Sequence, residues 1–458
     1  MENVILIPVG FLAFLFLFRW IMREPVRGLY AAIFASGILI TPTLPLVRDK
    51  FAAAEVLMLM TWTAMVIGAE NGHQKPLSGS QRQVIFWGIG FMMICLFSFI
   101  GNLFRMPNDV IPHSLLETAI YVYGVLVFIT VLMLVDTWEK WYRCLYAWLL
   151  SAAIVCVIGL WAMKGGAPAW TYDEFTGRIS STLKFENQLP SFLLPIFVTC
   201  LFLAVLQSGI STRWRIAFMV LSGAIIIVLF GTGSRTVYLM LVVCFAGLAW
   251  VALREKRFNA FKFARVQAIA FVLIAGIILF IASVLMTGQS YQGLGQTPAY
   301  ERPILMLADW IKGNRALDEG RDYLIQVVWQ DFTNYILLGT GPKLFTLTYH
   351  MSEVHNTYLS LLIETGLFGA MTFLFWYWNV GYLSWRSLLL CKDHQNRLLG
   401  FSLLVGLMAL FVYGLFMLGV RQRNIWFLAG LLMAIPRLGS GGKGFLEKGV
   451  LICKIKIK

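Results

Sequence analysis

Four residues in this chain could do chemistry together: His355, Arg178, Arg235 and Arg321. An arginine stays charged, and its planar fork can hold two phosphate oxygens at once, so several around one site suit a diphosphate. A histidine exchanges its proton near neutrality and can take one from an attacking hydroxyl. Asn187, Ser234, Asn356 and Glu364 stand close to these residues in the sequence and are of a type to support them. In a regular helix Glu364 would lie about half a turn around from His355 and roughly 13 Å deeper, so no direct bond between the two is expected. Glu364 would instead hold an arginine from a neighbouring span or line a polar crevice. Ionisable groups at membrane depth are costly and usually mark function.

The elements that must position these residues are membrane helices. Of the 458 residues, 59% are hydrophobic and 13% charged. Runs of about 20 apolar residues, the length that crosses a hydrocarbon core, recur along the chain. Lipid offers no hydrogen-bond partner, so the runs must be helical, and the short alternation of a barrel is missing. The expected fold is all-α, a polytopic integral membrane protein of about 12–13 transmembrane helices. The spans read as 4–22, 29–47, 52–68, 84–104, 115–135, 143–163, 188–208, 215–230, 235–253, 266–286, 356–378, 398–418 and 424–436. The amino terminus, MENVILIPVG, lacks a basic stretch and a small-residue cleavage site and reads as a retained first span.

The net charge of +14 does not point to nucleic acid, because the basic residues sit in short clusters between apolar runs. Alternate connections carry Arg23 and Arg27; Lys75 and Arg82; Lys140 and Arg143; Arg213 and Arg215; the run Arg254 to Arg257; and Arg386, Lys392 and Arg397. Those connections are expected to be cytoplasmic, with the amino terminus outside. The organisation that follows is ten spans over 1–286, a long structured outer (periplasmic) loop over 287–355, the last spans over 356–436, and a basic cytoplasmic tail over 437–458. Within the long loop, the segment 322–339 sets Leu324, Val327, Val328, Asp331, Phe332, Tyr335 and Ile336 on one mostly apolar face at helical spacing, and 304–311 behaves similarly, which predicts amphipathic helices on the membrane surface. The seven cysteines lie in or beside spans and show no metal-ligand spacing.

This topology puts His355, Arg235, Arg178, Asn187 and Arg321 on one side of the membrane. Sugar hydroxyls are poor nucleophiles unaided, and a lipid diphosphate needs fixed positive charge as its bond breaks. The set therefore suits glycosyl transfer from a diphosphate lipid carrier to an acceptor hydroxyl.

Four segments in this order also resemble a known family. HNTYLSLLIETGLFG resembles the His-Asn and Glu-x-Gly signature of the O-antigen ligase and polymerase superfamily of bacterial membranes. GTGSRT is similar to its Ser-Arg motif at the start of a span, and GRISSTLKFENQLPSF to its outer segment with an arginine and then an asparagine. EGRDYLIQVVWQDFTNYILLGTGPKLF is similar to its arginine-led helix before a Gly-x-Gly turn. The resemblance covers roughly 178–369, and the segment around Asn187 departs from the usual Gly-Asn-Pro-Asn form.

The resemblance implies an enzyme of the bacterial inner membrane that takes an oligosaccharide from undecaprenyl diphosphate at the periplasmic face. Ligases of the family join it to lipid A core, and polymerases join it to another lipid-linked repeat unit. It implies no nucleotide sugar, no cofactor and no metal. His355 would be the base; Arg178, Arg235 and Arg321 would grip the diphosphate; Asn187, Ser234, Asn356 and Glu364 would support them. Membrane lipids and other polysaccharide-assembly proteins would be partners. The favoured reading is a repeat-unit polymerase for an exopolysaccharide or O-antigen, with a ligase as the alternative. The absence of a soluble domain after the last span weighs against the protein-glycosylating branch.

Plainer readings exist for each residue. A histidine at a helix start can simply satisfy loop carbonyls, and an outer arginine can reach lipid headgroups. Arg321 could balance Asp318, Glu319 and Asp322, an acidic group that reads as ordinary solvated loop charge. Glu55 and Glu117 read as interfacial, and Gly339 and Gly341 as turn residues. A transporter or lipid-carrier flippase would also have about a dozen spans, but it would carry charge through mid-span.

Overall fold

The computed structural model describes residues 14–38, 52–68, 76–173, 176–206, 210–254, 301, 304–305, 319–333, 335–348 and 354–438. Within them a helical stretch over 14–23 leads into α1 (Val26–Ala35), α2 (Ala53–Ile67), α3 (Gly79–Asn102), α4 (Ile111–Leu134), α5 (Trp138–Lys164) and α6 (Gln188–Val205). Then come α7 (Thr212–Gly231), α8 (Arg235–Arg254), α9 (Glu319–Phe332), α10 (Leu344–Thr348), α11 (Thr357–Leu390), α12 (His394–Gly414) and α13 (Arg423–Leu438). Among the described residues the one strand-like feature is an isolated bridge between Tyr172 and Ile179.

Eight of these helices, α3 to α8 with α11 and α12, are long and apolar enough to cross a membrane. This is the all-α polytopic architecture expected from hydropathy. The expected span 266–286 lies outside the described residues, as do parts of 4–22 and 29–47, most of the basic tail, and most of 287–318. α11 runs well past the expected end at 378, to Leu390. Its extension carries Trp385 and Arg386, whose guanidinium lies over the Tyr382 ring, so it leaves the apolar stripe without ceasing to be helical.

The centre of the bundle is α6, which is buried along most of its length and packs against α7 and α12. Small residues set the close approaches. A Cβ on Gly406 would come within 3.1 Å of Pro195, and one on Gly430 within 2.6 Å of Val131. Gly124 on α4 leaves room for Trp426 of α13, whose ring lies 4.6 Å from that of Trp376 on α11. Side-chain caps define several helix starts. Ser78 and Gln81 form a capping box on α3, and Asp393 accepts from the amides of Gln395 and Asn396 on α12.

α11 is broken at Gly366, where φ is 68° and ψ is −172°. A break inside a span strands backbone groups that lipid cannot satisfy, so protein must do so. The segment 336–341 does. The amides of Thr340 and Gly341 donate to the carbonyls of Ile363 (2.8 Å) and Glu364 (3.0 Å), while the Leu367 amide donates to Ile336 (2.7 Å). Ser98 Oγ also donates to the Glu364 carbonyl at 2.7 Å, and Asn102 Nδ2 to Gly339 at 3.1 Å. A Cβ on Gly339 would sit 2.5 Å from the Gly366 nitrogen, which requires glycine on both sides of this contact. The expected helix over 322–339 accordingly stops at Phe332. Its apolar residue Val328 packs with Phe345, Val354 and Ile363, while Ile336 to Leu338 leave the helix to patch the break.

Candidate functional site

The His-Asn pair precedes α11. Asn356 caps that helix, its Oδ1 accepting from the amides of Tyr358 (2.9 Å) and Leu359 (3.0 Å), and its Nδ2 donates to the Leu415 carbonyl at 2.9 Å. Thr357 Oγ1 donates to Met417 at 2.6 Å and accepts from the Gly419 amide at 2.7 Å. The start of α11 is thus stitched to the short connection between α12 and α13. His355, exposed, stands beside that connection and opens on a cavity of about 490 Å³.

The cavity is lined by Lys184, Glu186 and Asn187 from one segment, Glu55 from α2, Tyr123 from α4, and Arg421 and Arg423 from the α12–α13 connection. Arg421 is held by two carboxylates: its Nη2 donates to Glu364 at 2.9 Å, and its Nε pairs with Glu117. Tyr121 donates its hydroxyl to the other Glu364 oxygen at 2.7 Å, and Lys343 lies within electrostatic reach of the same carboxylate. Arg423 Nη2 pairs with Glu55 at 2.9 Å. These carboxylates are buried, Glu117 completely, so the ion pairs are desolvated and their geometry is held tightly. Glu55 and Glu117 are therefore not the interfacial residues their positions near span ends suggested. Each is taken out of water because an arginine from a distant segment meets it.

Arg178 forms a clasp. Its Nε donates to the Thr232 carbonyl (2.6 Å), Nη1 to Glu186 (2.6 Å) and Nη2 to Asn187 Oδ1 (2.7 Å). With the Ile179 amide bonded to Gly231 at 3.1 Å, it ties the 178–187 segment to the turn that carries buried Ser234 and exposed Arg235. Tyr413 fixes the other side by donating to the Asn187 carbonyl at 2.6 Å. His355, Glu186 and Asn187 thus share the cavity, Arg178 stands directly behind its wall, and Arg235 lies on the adjoining turn rather than among the lining residues. Arg321 belongs to α9, and its side chain lies outside what the structure describes.

Sequence reasoning missed Arg421 and Arg423. The readable signal was GVRQRN itself, two arginines in a very short connection that the expected topology puts outside, where basic residues should be scarce.

Residues 217–374 match the family model described as O-antigen ligase. Over that stretch, about a third of the chain, the protein is similar to the O-antigen ligase family, in keeping with the resemblance seen in its motifs. The region of the O-antigen ligase match runs from α7 into α11 and contains Ser234, Arg235, Arg321, His355, Asn356 and Glu364. Arg178 and Asn187 precede it, and Arg421 and Arg423 follow it. No curated protein matches the chain.

Proposed function

We propose that this multi-pass membrane protein is a glycosyltransferase that moves an oligosaccharide from undecaprenyl diphosphate to an acceptor hydroxyl, as the repeat-unit polymerase of an exopolysaccharide or O-antigen. The observation that carries the reading is His355 at the mouth of a cavity lined by Lys184, Arg421 and Arg423, within a chain that matches the O-antigen ligase family. In this reading His355 takes the proton of the acceptor hydroxyl as that oxygen attacks the anomeric carbon. The bond from that carbon to the phosphate oxygen breaks, and the diphosphate leaves with the electron pair. Arg235, Arg321 and the cavity cations stabilise the charge that develops. Arg178 holds Glu186 and Asn187 in the wall, and Glu364 holds Arg421.

The reaction is placed at the periplasmic face of a bacterial inner membrane, with membrane lipids and other polysaccharide-assembly proteins as partners. Transfer to lipid A core, as a ligase, uses the same site with a different acceptor. A flippase fits less well, because all three buried carboxylates among the described residues, Glu55, Glu117 and Glu364, gather at the cavity end. The test is purified protein with a defined undecaprenyl-diphosphate oligosaccharide, with and without lipid A core. Growth of the glycan on its carrier supports the polymerase, and transfer only to core shifts the assignment to ligase. Movement of the intact carrier without glycosidic bond formation removes the enzyme.

A further inference from the structure

Arg423 is the first residue of α13 and lines the same cavity as His355, with 15% of its side chain exposed. Glu55 engages one end of its guanidinium, at Nη2. The other end, Nη1, is buried and has no hydrogen-bond partner among the described residues. A buried N–H donor without an acceptor is costly and uncommon in a folded protein, so an acceptor in the adjoining cavity that Nη1 can turn to reach would relieve that cost. The position adds to this, since the amino-terminal amides of α13 favour negative charge beside them. Arg178 behaves differently, because its Nε, Nη1 and Nη2 all donate to groups of the protein itself.

We propose that Arg423 is a phosphate-binding residue, its Nη1 taking an oxygen of the carrier diphosphate beside His355 while Glu55 holds the guanidinium in place. This rests on the transfer reading above and deepens it, since the matched family region ends well before Arg423. Binding turns the guanidinium about its Glu55 contact so that Nη1 faces the cavity. Arg421, two positions earlier and anchored by Glu117 and Glu364, supplies the neighbouring charge.

The test uses the full-length protein in nanodiscs of phosphatidylcholine, titrated with undecaprenyl diphosphate or uncharged undecaprenol. Wild type is expected to bind the diphosphate at least about tenfold tighter than the alcohol, a difference worth ~1.4 kcal/mol. Arg423→Gln is expected to lose that preference and keep its affinity for undecaprenol. A second measurement needs no variant: phenylglyoxal modification of Arg423, followed by mass spectrometry, should be slowed several-fold by undecaprenyl diphosphate and not by undecaprenol. An unchanged diphosphate affinity in a folded Arg423→Gln protein, or equal modification rates with and without the diphosphate, overturns the assignment and leaves the transfer reading standing. Equal protection by phosphatidylglycerol at the same concentration overturns it in favour of a lipid-headgroup site. A wild-type protein that does not distinguish diphosphate from alcohol overturns the transfer reading itself.

Discussion

Gly339 and Gly366 meet backbone to backbone, and the contact leaves no room for a side chain on either, a Cβ on Gly339 falling 2.5 Å from the Gly366 nitrogen. Both residues have positive φ, 71° and 68°. Two motifs separated along the chain, Gly-Thr-Gly and Glu-Thr-Gly, are therefore the two halves of one joint. The joint sets the depth and direction of Glu364, and through Glu364 the position of Arg421.

Gly339→Ala combines a disfavoured backbone conformation with an overlap against backbone atoms that cannot rotate away. Strain at such a site costs roughly 1–3 kcal/mol before the overlap is counted. The variant should melt well below wild type in detergent. Gly381→Ala, in the same helix α11 with nothing near its Cβ, should melt slightly higher, by about 0.5–1 kcal/mol in stability. Equal melting of the two variants would show that the joint does not constrain the fold.

His355 is exposed, so His355→Ala should leave thermal stability unchanged. Loss of a general base costs roughly 10²–10⁴-fold in rate. Glycan transfer by the purified protein should fall within that range, and full activity in His355→Ala would refute the base.

Glu364 is buried and bonded to both Arg421 and Tyr121. Removing one partner of a buried ion pair is worth roughly 3–5 kcal/mol, because the remaining charge stays desolvated. Glu364→Ala should lose stability on that scale in thermal or chemical unfolding. Glu364→Gln keeps an acceptor and a similar volume and should lose less. A neutral result for Glu364→Ala would mean that Glu117 alone suffices to hold Arg421.

Arg178→Lys retains the charge and cannot make three directed bonds at once. It should leave the bundle folded and loosen the 178–187 segment. Limited proteolysis should cut that segment faster than in wild type, and transfer should fall by about tenfold or more, as expected when wall residues shift by an ångström or so. Unaltered proteolysis together with reduced transfer would instead favour direct contact of Arg178 with the substrate.

Much of the architecture was legible in hydropathy, because lipid forces every apolar run of sufficient length into a helix. The expected spans from 84 onward that fall on described residues meet helices whose ends differ by a few residues, apart from the extension of α11. The site was legible in types more than in roles. Counting spans put His355 and Asn187 on one expected side of the membrane, and the cavity that both line is set by tertiary packing. The clasp made by Arg178 did not follow, because its partners, Thr232 among them, are backbone carbonyls and side chains set by tertiary contact. Nor did the pairing of Arg421 with Glu117 and Glu364, since each residue alone looks like an ordinary charge near a span end. The break at Gly366 was hidden for a related reason: its apolar neighbours keep helical periodicity, and only the returning segment makes the interruption tolerable.

That returning segment also has a place in time. Thr340 precedes Ile363 by 23 residues, so the chain that mends α11 is synthesised before the part that needs mending. A ribosome feeding this protein into a bilayer delivers the splint first and the fractured span second. The interrupted helix therefore never has to wait, unsupported, for its hydrogen-bond partners to be made.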